Sequence, residues 1–330
     1  MKVQLLKPRR LFSIATASAI FVLMLTLYRG PSTGLPDLRS LSRKLPVPPN
    51  MSWYALSSPN HVLAAYGATW SQVLDVNTTT GATKRQVNLE KQFNNKVPGL
   101  RLLSPNGQWF YMTDSFFRTT QNSVMKSDGG KTLRWPHNGE ILDHWLPSSR
   151  AVVGAAGDKK GYALYEYQLD TQKHTKRYLP QAVNGSLVAI IGDDVLLFAS
   201  KQNIYKDWLD ITYVSCGDNT IKSQFGIQLP EGAIMLTYNV SPKNDKLAIG
   251  MVVYPKSNFA NRFRLPILKR MLTPSPEWQL MIVDLNTKQG EFVAKLPTAS
   301  PVLTTWMADN QHIIYMFENQ LYVGEITDSR

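Results

Sequence analysis

The chain has 330 residues, 43% apolar and 18% charged, with one cysteine and 36 basic against 24 acidic side chains. This is the composition of a folded protein, and the lone Cys216 excludes an intramolecular disulfide framework and a cysteine-cluster metal site. Two basic segments, 1–50 and 255–276, carry the whole net charge of +12, and the remaining 23 basic and 23 acidic residues cancel, so a general nucleic-acid-binding surface is excluded.

The chain opens on a basic tail, residues 1–10, with Lys2, Lys7, Arg9 and Arg10. Residues 11–28, Leu11 to Tyr28, follow without a charge. That run is about the shortest that crosses ~30 Å of hydrocarbon as a helix. The tail charges put the N-terminus in the cytoplasm and the rest of the chain outside. A cleavable signal peptide is the competing reading. The only A-x-A triplet, Ala17-Ser18-Ala19, lies inside the apolar run, which leaves too short a hydrophobic region before it. We therefore expect an uncleaved signal-anchor, one transmembrane helix in the cell membrane, and an extracytoplasmic body (periplasmic or extracellular). Residues 29–37, rich in Gly, Pro and Ser, read as a linker.

From residue 38 to 330 the chain is a succession of short Val/Ile/Leu/Tyr-rich runs broken by Pro, Gly, Asn and Asp, the pattern of an all-β protein. Three phrases recur. One ends in Leu-Pro or a close variant, at Arg43–Pro46, Asn95–Pro98, Leu133–Pro136, Arg177–Pro180, Ile227–Pro230 and Ala294–Pro297, spaced by 52, 38, 44, 50 and 67 residues. Four of these intervals lie near the ~40–50 residues of one four-stranded propeller blade, and the fifth carries an insertion. The second phrase is a turn before a strongly apolar run: Ser58-Pro59-Asn60, Ser104-Pro105-Asn106-Gly107 and Ser241-Pro242-Lys243-Asn244-Asp245, with weaker copies at 146–150 and 307–311. Pro presets the first turn torsion, and Asn or Gly tolerates the left-handed position after it. The third is an apolar strand running into an Asp/Asn-Thr turn, as in Val283–Thr287, Tyr165–Thr171 and Val73–Thr78.

Together these phrases resemble the WD40-like (TolB-type, PD40) β-propeller repeat over roughly residues 40–330. The resemblance is weakest in the fourth interval, where Gly192-Asp193-Asp194 holds the turn, and Asn106 stands where the repeat usually has Asp. It implies a fold and carries no catalytic residue. Five complete intervals follow residue 46, and the last segment, 298–330, stops after three strands. We therefore expect a six-bladed propeller in which residues near Ser40–Leu45 supply the missing outer strand. A juxtamembrane helix is the alternative, since Leu38, Leu41 and Leu45 have helical spacing.

Motifs that carry chemistry are few. The sequence contains no G-x-S-x-G, P-loop, H-E-x-x-H or G-x-G-x-x-G. Glu140, Asp143 and His144 form the most suggestive polar group, at an expected channel mouth, with a hydrogen-bonded loop as the plainer reading. Asp193-Asp194 is a possible cation pair, although neighbours on a tight turn diverge. Cys216 is expected to pack within a strand. No cofactor or metal is expected. The insertion 255–276 interleaves Phe259, Phe263, Leu265 and Ile267 with Lys256, Arg262, Arg264, Lys269 and Arg270. Such a segment grips a protein partner, lies on an anionic membrane, or folds over its own domain. In the six-bladed arrangement it opens on the face opposite the anchor, which favours a partner, with Phe259, Arg262, Phe263, Arg264, Lys269 and Arg270 as the contact residues. The expected function is a non-catalytic, membrane-anchored scaffold that binds protein and no nucleic acid. The alternative is a propeller enzyme or sensor acting on a small molecule or glycan.

Overall fold

The computed structural model describes residues 34–47, 53–58, 60–66, 72–88, 100–113, 121–136, 142, 144–183, 185–199, 208–254, 276–296, 304–307, 309–318 and 320–326. The expected anchor, 11–28, and residues 255–275 of the insertion lie outside them. Among the described residues no helix is long and apolar enough to cross a membrane.

The chain enters through a 3-10 helix, Leu38–Leu41, whose first turn is capped by the Asp37 carboxylate accepting from the Arg39 N–H at 2.9 Å. Strand β1, Ser42–Lys44, follows directly. The Leu38/Leu41 spacing thus makes one helical turn, and the chain then extends as a strand.

Among the described residues, every later strand pairs antiparallel with its neighbours. Sheet I is β2 (Trp53–Ser58), β3 (His61–Tyr66), β4 (Gln72–Asn77) and β5 (Thr83–Asn88). Sheet II is β6 (Leu100–Leu103), β7 (Trp109–Thr113), β8 (Gln121–Lys126) and β9 (Thr132–Pro136). Sheet III is β10 (His144–Trp145), β11 (Ala151–Asp158), β12 (Gly161–Gln168) and β13 (His174–Tyr178). Sheet IV is β14 (Ser186–Ile191), β15 (Val195–Ala199), β16 (Trp208–Ser215) and β17 (Ile221–Gln228). Sheet V is β18 (Ala233–Val240), β19 (Lys246–Val253), β20 (Glu277–Asp284) and β21 (Gln289–Lys295). Sheet VI takes three strands from the end of the chain, β22 (Thr304–Trp306), β23 (His312–Phe317) and β24 (Gln320–Glu325), and its fourth is β1, with Ser42 opposite Gly324 and Lys44 opposite Tyr322.

The turn chemistry explains why the strands end where they do. Between the first and second strands of each sheet one residue takes positive φ: Asn60 (64°), Gly107 (70°), Ser149 (61°), Gly192 (54°), Asn244 (59°) and Asn310 (65°). Gly and Asn reach that region at little cost. A backbone bond then locks each sheet's third strand to its second: Thr78, Ser127, Leu169, Cys216, Leu285 and Ile326 donate to the carbonyls of Asn60, Gln108, Arg150, Asp194, Asp245 and Gln311.

Both faces of the sheets are covered, so the alternation of a half-exposed strand gives way to long apolar runs such as β19, in which Leu247 to Val252 are all buried. Six apolar clusters fill the gaps between neighbouring sheets. Leu63 with Phe110 joins I to II, Trp135 stacked 3.6 Å from Tyr167 joins II to III, and Leu164 with Phe198 joins III to IV. Leu197 with Ile249 joins IV to V, Leu280 with Tyr315 joins V to VI, and Val323 with Val62 joins VI back to I. The innermost strands touch in the same order, β2 to β6, β10, β14, β18 and β22, and β22 again meets β2. The protein is all-β, and this arrangement is consistent with a β-propeller.

The turns also tie sheet to sheet. Ser149 Oγ accepts from the Asn106 N–H at 3.0 Å, and Asp193 Oδ1 accepts from the Ser148 N–H at 3.1 Å. Between V and VI, Asp245 Oδ1 accepts from Ser241 Oγ at 2.7 Å and from Asn310 Nδ2 at 3.0 Å. Partial burial raises the Asp245 pKa, but the bonds from Ser241 and Asn310 outweigh it, and the net shift is downward. A carboxyl held below its unfolded value stabilises the fold above the ordinary carboxylate range, and that contribution disappears as the pH falls through its folded pKa. Asp245→Ala should therefore cost about 1–2 kcal/mol at neutral pH. The melting-temperature gap between variant and parent should narrow below about pH 4. A gap independent of pH would mean that the ionised carboxylate does not hold this junction.

Candidate functional site

At the turn end of the III–IV junction the two sheets part, leaving a cleft of about 250 Å³. Its floor is the buried edge of the apolar cluster, Leu146, Val153, Leu164 and Leu196. Its walls carry Arg150, Glu166, Gln168, Arg177, Asp193, Asp194 and Cys216. Strand pairing accounts for this concentration. In β12, Leu164, Glu166 and Gln168 alternate on one face, and Arg177 of β13 lies opposite Leu164. Sheet IV supplies Asp193 and Asp194 from the β14–β15 turn and Cys216 from the first position past β16.

Asp193 and Arg150 satisfy each other. The Asp193 carboxylate takes the Ser148 N–H on one oxygen and stands 3.5 Å from Arg150 Nε on the other. Glu166 accepts from Gln168 Nε2 at 3.2 Å. Cys216 donates its backbone N–H to the Asp194 carbonyl at 2.6 Å. Burial raises the pKa of its thiol. Arg177 pulls it down by charge and hydrogen bond, Glu166 and Asp194 push it up, and the balance is a raised value. At neutral pH Cys216 is thus a protonated thiol rather than a thiolate nucleophile.

The residues singled out in the sequence fare unevenly. His144 opens β10, the innermost strand of sheet III, half-buried and paired with Val153. Glu140 and Asp143 lie outside the described residues, as do Phe259, Arg262, Phe263, Arg264, Lys269 and Arg270. Asp193 and Asp194 diverge in function, because Asp193 is committed to Ser148 and Arg150. Cys216 sits past the end of its strand rather than within it. Among the described residues no group of three His, Cys, Asp or Glu side chains could hold a metal ion. His61 is clamped by Asp75 at 2.9 Å and Asn77 at 3.3 Å, and His312 by Asp309 at 2.7 Å.

No family model matches the chain, and no curated protein matches it. Solved structures do. TolB from Acinetobacter baumannii is similar at 13% identity and a TM-score of 0.49, over 89% of this chain and 65% of that one. The chain therefore spans slightly less than two thirds of the TolB structure's length. A chain of a mitotic checkpoint complex is similar at 9% identity and a TM-score of 0.49, covering 87% and 91% of the two chains. An oligogalacturonate lyase in complex with manganese is similar at 10% identity and a TM-score of 0.48, covering 81% and 86%.

Proposed function

We propose that the chain is a six-bladed β-propeller, closed by β1 in the last blade, which a single N-terminal membrane helix at residues 11–28 holds outside the cytoplasm as a non-catalytic module for binding a protein partner. One observation carries this reading. The connection from β11 to β12 takes only Lys159 and Lys160, whereas that from β19 to β20 runs from Tyr254 to Pro276. Val253 still pairs with Glu277, so the long connection leaves and re-enters at a closed strand end. It costs little to close, since loop entropy grows only slowly with length. Its five basic and many apolar side chains, free of acids, suit an acidic, partly apolar surface on another protein.

Because successive strands are antiparallel, second-to-third-strand connections open at the end of the sheets opposite the first-to-second turns. The strand ends that flank the insertion, Val253 and Glu277, and the III–IV cleft thus lie at opposite ends. The test is affinity purification from detergent-solubilised native membranes, comparing the intact chain with one lacking residues 256–275. A specific partner recovered with the intact chain and lost with the deletion is the expected result. Equal recovery by both forms, or no specific partner with either, overturns it.

A further inference from the structure

We infer that the cleft between sheets III and IV binds a small zwitterion, an α-amino acid with an aliphatic side chain. Its carboxylate lies on Arg177, its ammonium on Glu166 and Asp194, and its side chain on the leucine and valine floor.

The first support is the placement of Glu166. The backbone bond that recurs in every sheet fixes equivalent positions. Three residues before its donor stand Asp75, Val124, Glu166, Tyr213, Ile282 and Val323. Four of the six are apolar or aromatic, as an inter-sheet face requires. In sheet I the acid Asp75 is matched by His61 at 2.9 Å. Glu166 has no such match. Among the described residues no lysine, arginine or histidine comes within ion-pair distance of it, and it accepts from the Gln168 amide at 3.2 Å. Glu166 lines the cleft with acceptor capacity that a cationic ligand can use.

The second support is Arg177. Arg177 is partly buried and engages the Cys216 thiol, and among the described residues it forms no ion pair. Glu166 and Asp194 lie close enough to act on the same thiol. Unlike charges thus line one cavity, with no ion pair between Arg177 and either carboxylate among the described residues. A plain anion attracted by Arg177 meets two carboxylates, and a plain cation attracted by those meets the guanidinium. A molecule carrying both charges satisfies all three. The Arg150–Asp193 pair is already matched and adds no net field.

The third support is size and floor. The cleft's volume, about 250 Å³, falls below the roughly 300–1,000 Å³ typical of drug-sized ligands, so the occupant is small. The four floor residues, Leu146, Val153, Leu164 and Leu196, are aliphatic and buried, which favours a branched aliphatic side chain over a polar one. The inference stands apart from the partner-binding reading, since the strand ends flanking the insertion are at the other end of the sheets.

Cys216 gives the test a site-specific reporter, because it is the only cysteine in the chain. The full-length chain in detergent is titrated with L-leucine, with 3-methylbutylamine, which lacks its carboxylate, and with 4-methylpentanoate, which lacks its ammonium. Saturating leucine should slow iodoacetamide modification of Cys216 several-fold, with a saturable heat by calorimetry. Each half-molecule should bind at least about tenfold more weakly, because a site made for two charges rejects a ligand lacking one. Arg177→Gln should abolish the preference for leucine over the amine, and Glu166→Gln the preference over the acid, with each variant retaining a cooperative melting transition. Lys222→Gln, at an exposed site on another strand, is the control. No saturable protection by leucine, equal binding of either half-molecule, or leucine binding untouched by both cleft variants each overturns the inference.

Discussion

Replacing Leu38 and Leu45 with alanine should be among the most damaging pairs of changes the chain can suffer. Both side chains are wholly buried, one packed with the V–VI cluster and the other with the VI–I cluster. A buried Leu→Ala change costs about 2–5 kcal/mol through lost transfer energy and the cavity left behind. The two residues flank β1 and anchor it from both sides. Losing them weakens the pairing with β24 as well and leaves that strand an open edge. At roughly 2–4 °C for each kcal/mol, the double variant should melt at least about 8 °C below the parent. Leu41→Ala, at a position 36% exposed in the same helical turn, should change stability by less than about 0.5 kcal/mol. Thermal melts of the three variants check this. Equal, small effects would mean that the segment lies over sheet VI without holding it.

Trp306→Ala should cost about 3–5 kcal/mol, the range for a large buried aromatic. The indole is 2% exposed, and its Nε1 donates to the Asn239 carbonyl of sheet V at 3.0 Å. It therefore fills the V–VI gap and bonds across it. Trp306→Phe separates the two roles by keeping much of the volume and removing the donor, and should cost about 1–3 kcal/mol. Denaturant midpoints give both values. If phenylalanine proves as harmful as alanine, the hydrogen bond rather than the packing governs the junction.

The fold was legible in the sequence to the extent that its determinants are local. Asn60, Gly107 and Asn244 lie in Ser-Pro phrases, and each takes the left-handed conformation that those phrases require. The diluted copies yield the same turn through Ser149 and Asn310, and the fourth sheet reaches it with Gly192. The incomplete last repeat pointed to a strand borrowed from near Ser40–Leu45, where β1 now stands. The cleft was not legible. Arg150, Glu166, Arg177, Asp194 and Cys216 are scattered over 67 residues and two sheets, and no spacing rule connects them. One trace was present. In Leu164-Tyr165-Glu166-Tyr167-Gln168, strand alternation puts Glu166 and Gln168 on the same face as Leu164, which is unusual in a sheet buried on both sides. The Glu140, Asp143 and His144 group looked more suggestive because its members are sequence neighbours, and of the three only His144 falls among the described residues.

The pairing of β1 with β24 also governs the order in which the molecule assembles. Ser42 and Gly324 face each other across 282 residues of sequence. During synthesis the first strand to emerge has to wait, unpaired, until the last has been made. Sheets I to V can form as their hairpins appear, since each uses four consecutive strands. Sheet VI cannot. A nascent chain, or one with its last strand missing, therefore presents a waiting Ser42–Lys44 segment and an unsealed first sheet. The β1–β24 pairing therefore closes last, once the final strand is made.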